Sequence, residues 1–421
     1  ADTIRNLTMD SSVTDPNTNR VNNMTVTDTL MVKRGAVGVY SGCSLAAGTL
    51  DMSGGSIMGL AGNTADTTVD IGAGGLIMSG ATLRFGWIWS GILDSPKTIR
   101  VNLDGNFTGS GTNSLDYVTT LGPRLLDLQG ATRTFDIISD TTTISPTIQN
   151  GGLTKTGAGT LVLAGNNVYD AATTVLDGVL RVTTAGSLKH NGSDKVLIAA
   201  NPARDFTAPG ARLVREVAHS GIYDGLGSQI TAGGAGTRAD IGAGTNASGG
   251  VRSVAMAWRE PDDSEPTPPG FIGLASDVLE LSGMVISGAA HGETDPFVLT
   301  MSYDSAALLG REAELAATGN LYLAWLDPAQ GWRNAALGNF GGANSFAGMG
   351  PWTDFIDGAN LAADLGRWGV DPTQQYAWAV LNHNSEFAVM GVPEPASLLS
   401  LVAALSTIAC LPRRMRQRAG R

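Results

Sequence analysis

Short apolar runs that repeat their own wording constrain this chain more than anything else in it. The phrase "TLDMSGGSIMG" at 49–59 is followed by "LIMSGATLRFG" at 76–86, which sets Met52 and Met78 26 residues apart. Further on come "TIRVNLDG", "RLLDLQG", "TFDIISD", "GTLVLAG", "TTVLDG" and "VLRVTT". Each is a short apolar alternation ending in a turn former, which is how a strand with one buried face reads. No helical periodicity interrupts the series. A unit that cannot bury its apolar face alone has to stack on the next one, so residues 1–190 are expected to form a β-solenoid. A flat sandwich satisfies the same alternation and is the competing architecture.

Composition agrees with a mainly β chain. Glycine accounts for 56 of 421 residues and charged residues for only 15%, which favours tight backbone over long solvated helices. An apolar content of 43% is too high for general disorder. The net charge of −11 is unevenly spread. Five arginines follow Pro412 with no acid among them, so everything before is more acidic still. An acidic body lacks the basic footprint that nucleic acid requires, and nucleic acid is excluded as a partner. The two cysteines, Cys43 and Cys410, are not expected to pair, because Cys410 lies in an apolar segment near the C-terminus. The first residues carry no apolar signal region, so an export signal is expected either to have been removed or to lie outside this sequence.

Beyond about residue 195 the texture changes. Trp258, Trp325, Trp332, Trp352, Trp368 and Trp378 lie there. Gly-rich 231–250 and Pro-rich 260–270 read as loops or a linker. Alternation places Phe297, Leu299, Met301 and Tyr303 on one strand face. It does the same for Leu321, Leu323 and Trp325, and for Tyr376, Trp378 and Val380. Residues 304–319 are expected to form one short helix, capped by Asp304 and stopped by Gly319. Together these features predict an antiparallel β-sandwich-like domain over 195–391 with short helical insertions.

Catalytic patterns are missing. His190, His219, His291 and His383 have no second ligand at metal spacing, and no metal or cofactor is expected. There is no G-x-S-x-G, Walker A or HExxH sequence, so the chain reads as non-enzymatic. Asp354, Asp357, Asp364 and Asp371 offer oxygen ligands but lack EF-hand spacing, and capping roles compete with calcium. β-Helices can also place carboxylates in a groove, with Asp51, Asp70, Asp104, Asp127 and Asp136 as candidates for a polysaccharide-degrading enzyme. Trp332, Trp352 and Trp368 stand in turn-like contexts and are candidate glycan-stacking residues.

The chain closes on Val392-Pro393-Glu394-Pro395, an uncharged run from Ala396 to Leu411, then Arg413, Arg414, Arg416, Arg418 and Arg421. As a helix, that run reaches roughly 24 Å at 1.5 Å per residue. A bilayer core is about 30 Å thick, so the segment is a short membrane-spanning helix with its arginines on the cytoplasmic side. The body is thereby placed outside the cytoplasm.

Two stretches resemble known families. Residues 150–182 are similar to the autotransporter-associated β-strand repeat of bacterial passenger domains. The similarity is carried by Leu153, Lys155, Gly157, Gly159, Thr160, Leu161, Leu163, Gly165, Asn167, Tyr169, Thr173, Thr174, Val175, Gly178 and Leu180. Asp170-Ala171-Ala172 and Val179 depart from the pattern. The resemblance implies a right-handed parallel β-helix; the barrel with which autotransporters end has no counterpart in this tail. Residues 392–421 resemble the PEP-CTERM sorting signal. That resemblance implies transient inner-membrane anchoring, processing by an exosortase near Pro393-Glu394-Pro395, and transfer to the envelope or extracellular matrix. The expectation is an exported scaffold or adhesin, with exopolysaccharide or other surface proteins as partners. The alternatives are a glycan-binding surface protein or a β-helical polysaccharide-degrading enzyme.

Overall fold

The computed structural model describes residues 2–392, apart from 13–19, 63, 87–96, 119–120, 184, 187–195, 202–203, 205, 207–209, 218–221, 226–236, 242–250, 263, 269–270 and 286–292. Among the described residues the regular structure is mostly strand, with one short α-helix and four 3-10 turns. Eleven strands form a first sheet whose pairings are all parallel, fifteen form a second, and six a third.

The first two sheets are the walls of a solenoid. The sequence repeat becomes its register: Leu50 pairs with Leu76, Met52 with Met78 and Ser53 with Ser79. Past the corner, Met58 meets Leu83 and Leu60 meets Phe85. The 26-residue spacing is therefore one circuit of the coil, shortened by one residue at this turn. Long strands of the first sheet shift register midway, between Ala47 and Thr49 and again between Asp127 and Ala131. Ile99–Leu103 and Phe107–Ser110 both pair with Thr67–Ser79, so one long strand contributes to two sides of the coil. The second sheet supplies the third side. Alternate residues point inward, and Leu50, Met52, Leu76, Phe107, Phe135, Leu161 and Leu163 are fully buried in one continuous core.

Corners depend on left-handed backbone. Gly157 has φ +73°, and a Cβ there would lie 2.4 Å from the Ile137 carbonyl oxygen of the preceding coil. Gly80 turns a comparable corner at φ +63°, with nothing within 4 Å of where its Cβ would be. The first needs glycine for conformation and space together, the second for conformation alone.

Residue 195 is not the end of the coil stack. Val196–Ile198 and Arg212–Val217 still pair in parallel with Thr173–Val175 and Val179–Val182. Arg212–Val217 then pairs antiparallel with Arg252–Arg259, and the sheet continues through Val278–Ser282, Ser385–Gly391, Leu321–Asp327 and Gly331–Asn334. The antiparallel region is thus grown onto one solenoid wall. Its second layer is the third sheet, which contributes Phe297, Leu299, Met301, Tyr303, Ala377 and Leu381 to the same core as Leu321, Leu323, Phe387 and Val389. The expected facing of these strands holds. Tyr376, Trp378 and Val380 point the other way, into a small cluster with Ile356 and Leu361.

Three local expectations need correction. The Gly-rich stretch 231–250 contains a strand, Thr237–Ile241, inside the third sheet. Residues 304–319 are two helices rather than one. Asp304 caps a 3-10 turn over Ser305–Leu308, Leu309 and Gly310 are left-handed, and an α-helix follows over Glu312–Thr318 with Gly319 as its left-handed stop. Two consecutive left-handed residues cannot continue a helix, and the alanine-rich sequence concealed that break. The Pro-rich linker is a strap: Pro266 accepts the Trp332 N–H at 3.0 Å, and Glu265 meets the Arg259 guanidinium.

No helix among the described residues is long and apolar enough to cross a membrane. The membrane-spanning sorting helix expected at 396–411 lies outside the described residues.

Candidate functional site

The junction of solenoid and cap holds the densest group of functional-type side chains. Arg212 and Ala257 are partners in the antiparallel pairing, Ala257 opposes Glu280, and Glu280 opposes Glu386. Directly paired side chains share a face, so this row lies on the outer surface of one sheet. Arg212 contacts Glu280. Arg259, only 4% exposed at its side chain, reaches Glu386 at 2.6 Å and also contacts Glu265. Phe206 lies against the Arg259 guanidinium, 5.4 Å from ring centroid to Cζ. Burial raises the Glu280 carboxyl above its usual range; Arg212 opposes that shift and the neighbouring Glu386 adds to it.

Beside this row is a cavity of about 290 Å³, lined by Asn201, Phe206, Arg212, Ala257 and Trp258 among others. That volume is at the small end for ligand sites. Trp258 is fully buried, and among the described residues its Nε1 has no hydrogen-bond partner. No motif marks this site: Glu280 and Glu386 are far apart in the chain and become neighbours only through strand pairing.

A second polar group runs along the solenoid. Asp70, Asn102, Asp127 and Gln149 occupy successive paired positions. Asn102 Nδ2 donates to Asp70 at 2.7 Å, and Gln149 Nε2 donates to Asp127 at 2.7 Å. Asp127 also accepts from Asn150 Nδ2 and the Gln129 backbone N–H, with Arg100 at 3.5 Å. Its lone pairs are therefore committed to holding neighbouring coils. Asp104 pairs with Arg133, Asp136 accepts from Thr156, and Asp51 is half-buried in the first sheet. The structure does not gather these five carboxylates into a groove.

The expected glycan-stacking row does not form. Trp332 is 1% exposed on the strand Gly331–Asn334, held by Nε1–H donation to Glu265 at 2.8 Å. Trp368 is 7% exposed, packed against Phe346 and Tyr322. Only Trp352 is half-exposed, in a 3-10 turn. The turn-like sequence around Trp332 and Trp368 hid that each sits in a strand covered by a strap or an aromatic neighbour.

The acidic quartet disperses into local roles. Asp371 accepts from Thr373 and Gln374 N–H, Asp364 pairs with Arg367, Asp357 accepts from Ala359 N–H, and Asp354 is exposed. Among the described residues no three His, Cys, Asp or Glu could hold a metal. His383 is buried; its Nε2 donates to the Ala335 carbonyl at 3.0 Å, and its Nδ1 lies 3.0 Å from the Ser385 hydroxyl. Burial lowers its pKa, against upward pulls from the Ala335 and Asn384 backbone. His190, His219 and His291 lie outside the described residues, as do Pro393, Glu394, Pro395, Arg413, Arg414, Arg416 and Arg418. Val392 is half-buried, its N–H donating to Asn320 O at 2.8 Å.

The repeat at 150–182 carries two successive rungs of each wall, Leu153 pairing with Thr173 and Thr160 with Val179, and Lys155 lies inside it, fully buried. Its ammonium donates to the carbonyls of Thr156 and Gly157 at 2.6 Å each and of Asp177 at 3.1 Å. Burial lowers its pKa to about 8, against the attraction of Asp177 and Asp136.

Comparison with known proteins supports that coil. The model of the passenger-associated-transport-repeat family matches residues 153–182. No curated protein and no solved structure matches the chain. A parallel β-solenoid carrying a passenger-type repeat suggests an exported, surface-exposed protein.

Proposed function

We propose that this chain is a rigid, non-catalytic surface or matrix scaffold, delivered by exosortase processing of its tail. One observation carries the reading: the passenger-type repeat at 153–182 is continuous, rung by rung, with the parallel strands Thr141–Ile144 before it and Arg212–Val217 after it. Such a column holds what it displays at a fixed distance from its base. The paired Asp, Asn, Gln and Arg side chains on its outside are bonded to one another along the stack, which suits a stiffening role. The tail supplies the route, with the inner membrane as transient anchor and the body released to envelope or matrix.

Fractionation of the native host with intact-mass measurement tests this. The expected product ends close to Pro393–Pro395 and is recovered from the envelope or medium. Recovery of the intact chain in the inner membrane, still carrying 396–421, would refute sorting and release.

A second reading is favoured by the junction cavity. Phe206 offers an apolar ring face, while Asn201 and Arg212 offer polar contacts, the usual combination for a sugar. Titration with the host's own exopolysaccharide separates the readings: binding that Phe206→Ala abolishes makes the protein a glycan-binding scaffold.

A further inference from the structure

Four Asp-Pro bonds occur in the chain, of which Asp15-Pro16 lies outside the described residues. An aspartate before proline carries a nucleophile one ring closure from its own carbonyl carbon, and the nitrogen that would leave has no N–H. Asp327 and Asp371 each end a strand. Their carboxylates accept backbone N–H groups of the turn that follows, from Ala329 at 2.8 Å and from Thr373 at 2.9 Å.

Asp295-Pro296 is placed differently. It lies inside the strand Glu293–Ser302, which runs between Thr237–Ile241 and Tyr376–His383 in the third sheet. Central strands exclude proline except at bulges, and the ladder breaks here. Glu293 opposes His383 and Phe297 opposes Leu381, so Thr294, Asp295 and Pro296 together face Asn382 alone. Bulges re-aim side chains. The Asp295 carboxylate meets Arg252 of the second sheet, whose Nε and Nη2 both donate to Oδ2 at 3.1 Å. The carbonyl of the Asp-Pro bond is engaged as well: the Thr294 hydroxyl donates to Asp295 O at 3.0 Å. Thr294 is fully buried and Asp295 is 3% exposed. Flanking the bulge are Glu293, which accepts from Asn382 Nδ2 at 3.2 Å, and His383 opposite it.

We propose that the chain cuts its own backbone between Asp295 and Pro296, with the Asp295 carboxylate as nucleophile, Arg252 positioning it and the Thr294 hydroxyl stabilising the oxyanion. Asp295 Oδ1 attacks the Asp295 carbonyl carbon, and the C=O electron pair moves onto the oxygen that Thr294 bonds. Collapse re-forms the C=O and breaks the bond to nitrogen; Pro296 N leaves with the electron pair and takes a proton from a mildly acidic medium. One water opens the five-membered anhydride, leaving two carboxyls on Asp295 and a free secondary amine on Pro296. Nucleophile and carbonyl held in one bulge avoid the orientational entropy that slows the same step in an unfolded chain. The two pieces stay joined, because Phe297–Thr300 still pairs with Arg238–Ile241, and Leu279–Leu281 with Ser385–Phe387, across the cut. The event is single-turnover and leaves a scaffold intact.

The folded full chain is incubated in mildly acidic buffer with protease inhibitors, then weighed intact under denaturing conditions. Expected products end at Asp295 and begin at Pro296, forming at least about tenfold faster than from the same chain in urea. Thr294→Val should slow the cut at least about tenfold, and Thr294→Ser should restore it. Arg252→Lys keeps a charge but loses the two-nitrogen grip on Oδ2, and should slow the cut in a chain whose circular dichroism is native. Asp295→Glu keeps a carboxylate but needs a six-membered ring, and should abolish it. No cut at 295–296 overturns the proposal, and so does an unchanged rate in natively folded Thr294→Val. Equal rates with and without urea, or equal cutting at Asp327-Pro328 and Asp371-Pro372, also overturn it, because the event is then ordinary acid lability of the dipeptide.

Discussion

Replacing Lys155 by methionine asks whether a buried ammonium holds the repeat coil together. Methionine keeps most of the side-chain volume but removes all three donors, leaving the carbonyls of Thr156, Gly157 and Asp177 without that partner. Each lost bond to a buried carbonyl costs about 1 kcal/mol, giving a gross loss of about 3 kcal/mol. Part of this returns, because methionine has no charge to desolvate, and buried ions replaced by apolar groups can even stabilise. We expect a net loss of about 2 kcal/mol at pH 7, read as a lower guanidinium midpoint for Lys155→Met. The pH dependence supplies an independent check. The folded pKa near 8 lies below the ordinary value of 10.5, so between them the unfolded chain binds a proton the fold does not. Stability from this residue therefore rises as pH goes from about 8 to about 10.5, and Lys155→Met lacks that rise. A variant as stable as the natural chain at pH 7, with an unchanged alkaline profile, would refute the claim that these three bonds secure the coil.

Two further tests concern backbone and charge. Gly157→Ala should destabilise by at least about 3 kcal/mol in thermal unfolding, because the left-handed conformation and the Ile137 carbonyl both oppose a methyl group; Gly80→Ala, with space around it, should cost only about 1 kcal/mol. Equal losses would show that the corner carbonyl yields. His383 is buried neutral with a lowered pKa, so stability should fall as pH drops through 6.5, where the unfolded imidazole takes up a proton that the fold refuses. The slope contributed approaches about 1.4 kcal/mol per pH unit, and His383→Gln should remove it from an acid unfolding series.

Legibility followed the range of the interactions. The solenoid was readable because its repeat is local: identical short phrases stack on each other, and Met52 over Met78 is a sequence spacing turned into a contact. Strand facing in the cap was readable for the same reason, since alternation at Phe297, Leu299 and Met301 depends only on neighbours along the chain. What failed depended on distant partners. Trp332 looked like a turn residue until the strap through Glu265 and Pro266 covered it. The Glu280–Glu386 pair and the junction cavity arise from pairings across long stretches of sequence. The helix over 304–319 failed on conformation, because Leu309 adopts a left-handed state that its side chain does not advertise.

The second sheet passes from parallel coils to antiparallel cap without a break, and this has a mechanical consequence. Strands in a solenoid lie across its long axis, so axial tension is borne by inter-strand hydrogen bonds rather than by covalent backbone. Because Arg212–Val217 bonds to Val179–Val182 on one side and Arg252–Arg259 on the other, a pull on the cap is handed directly to the coils. Among the described residues, the strands of that wall are bonded edge to edge across the transition. Cap and column should therefore yield together under load, as one long rupture rather than two separate ones.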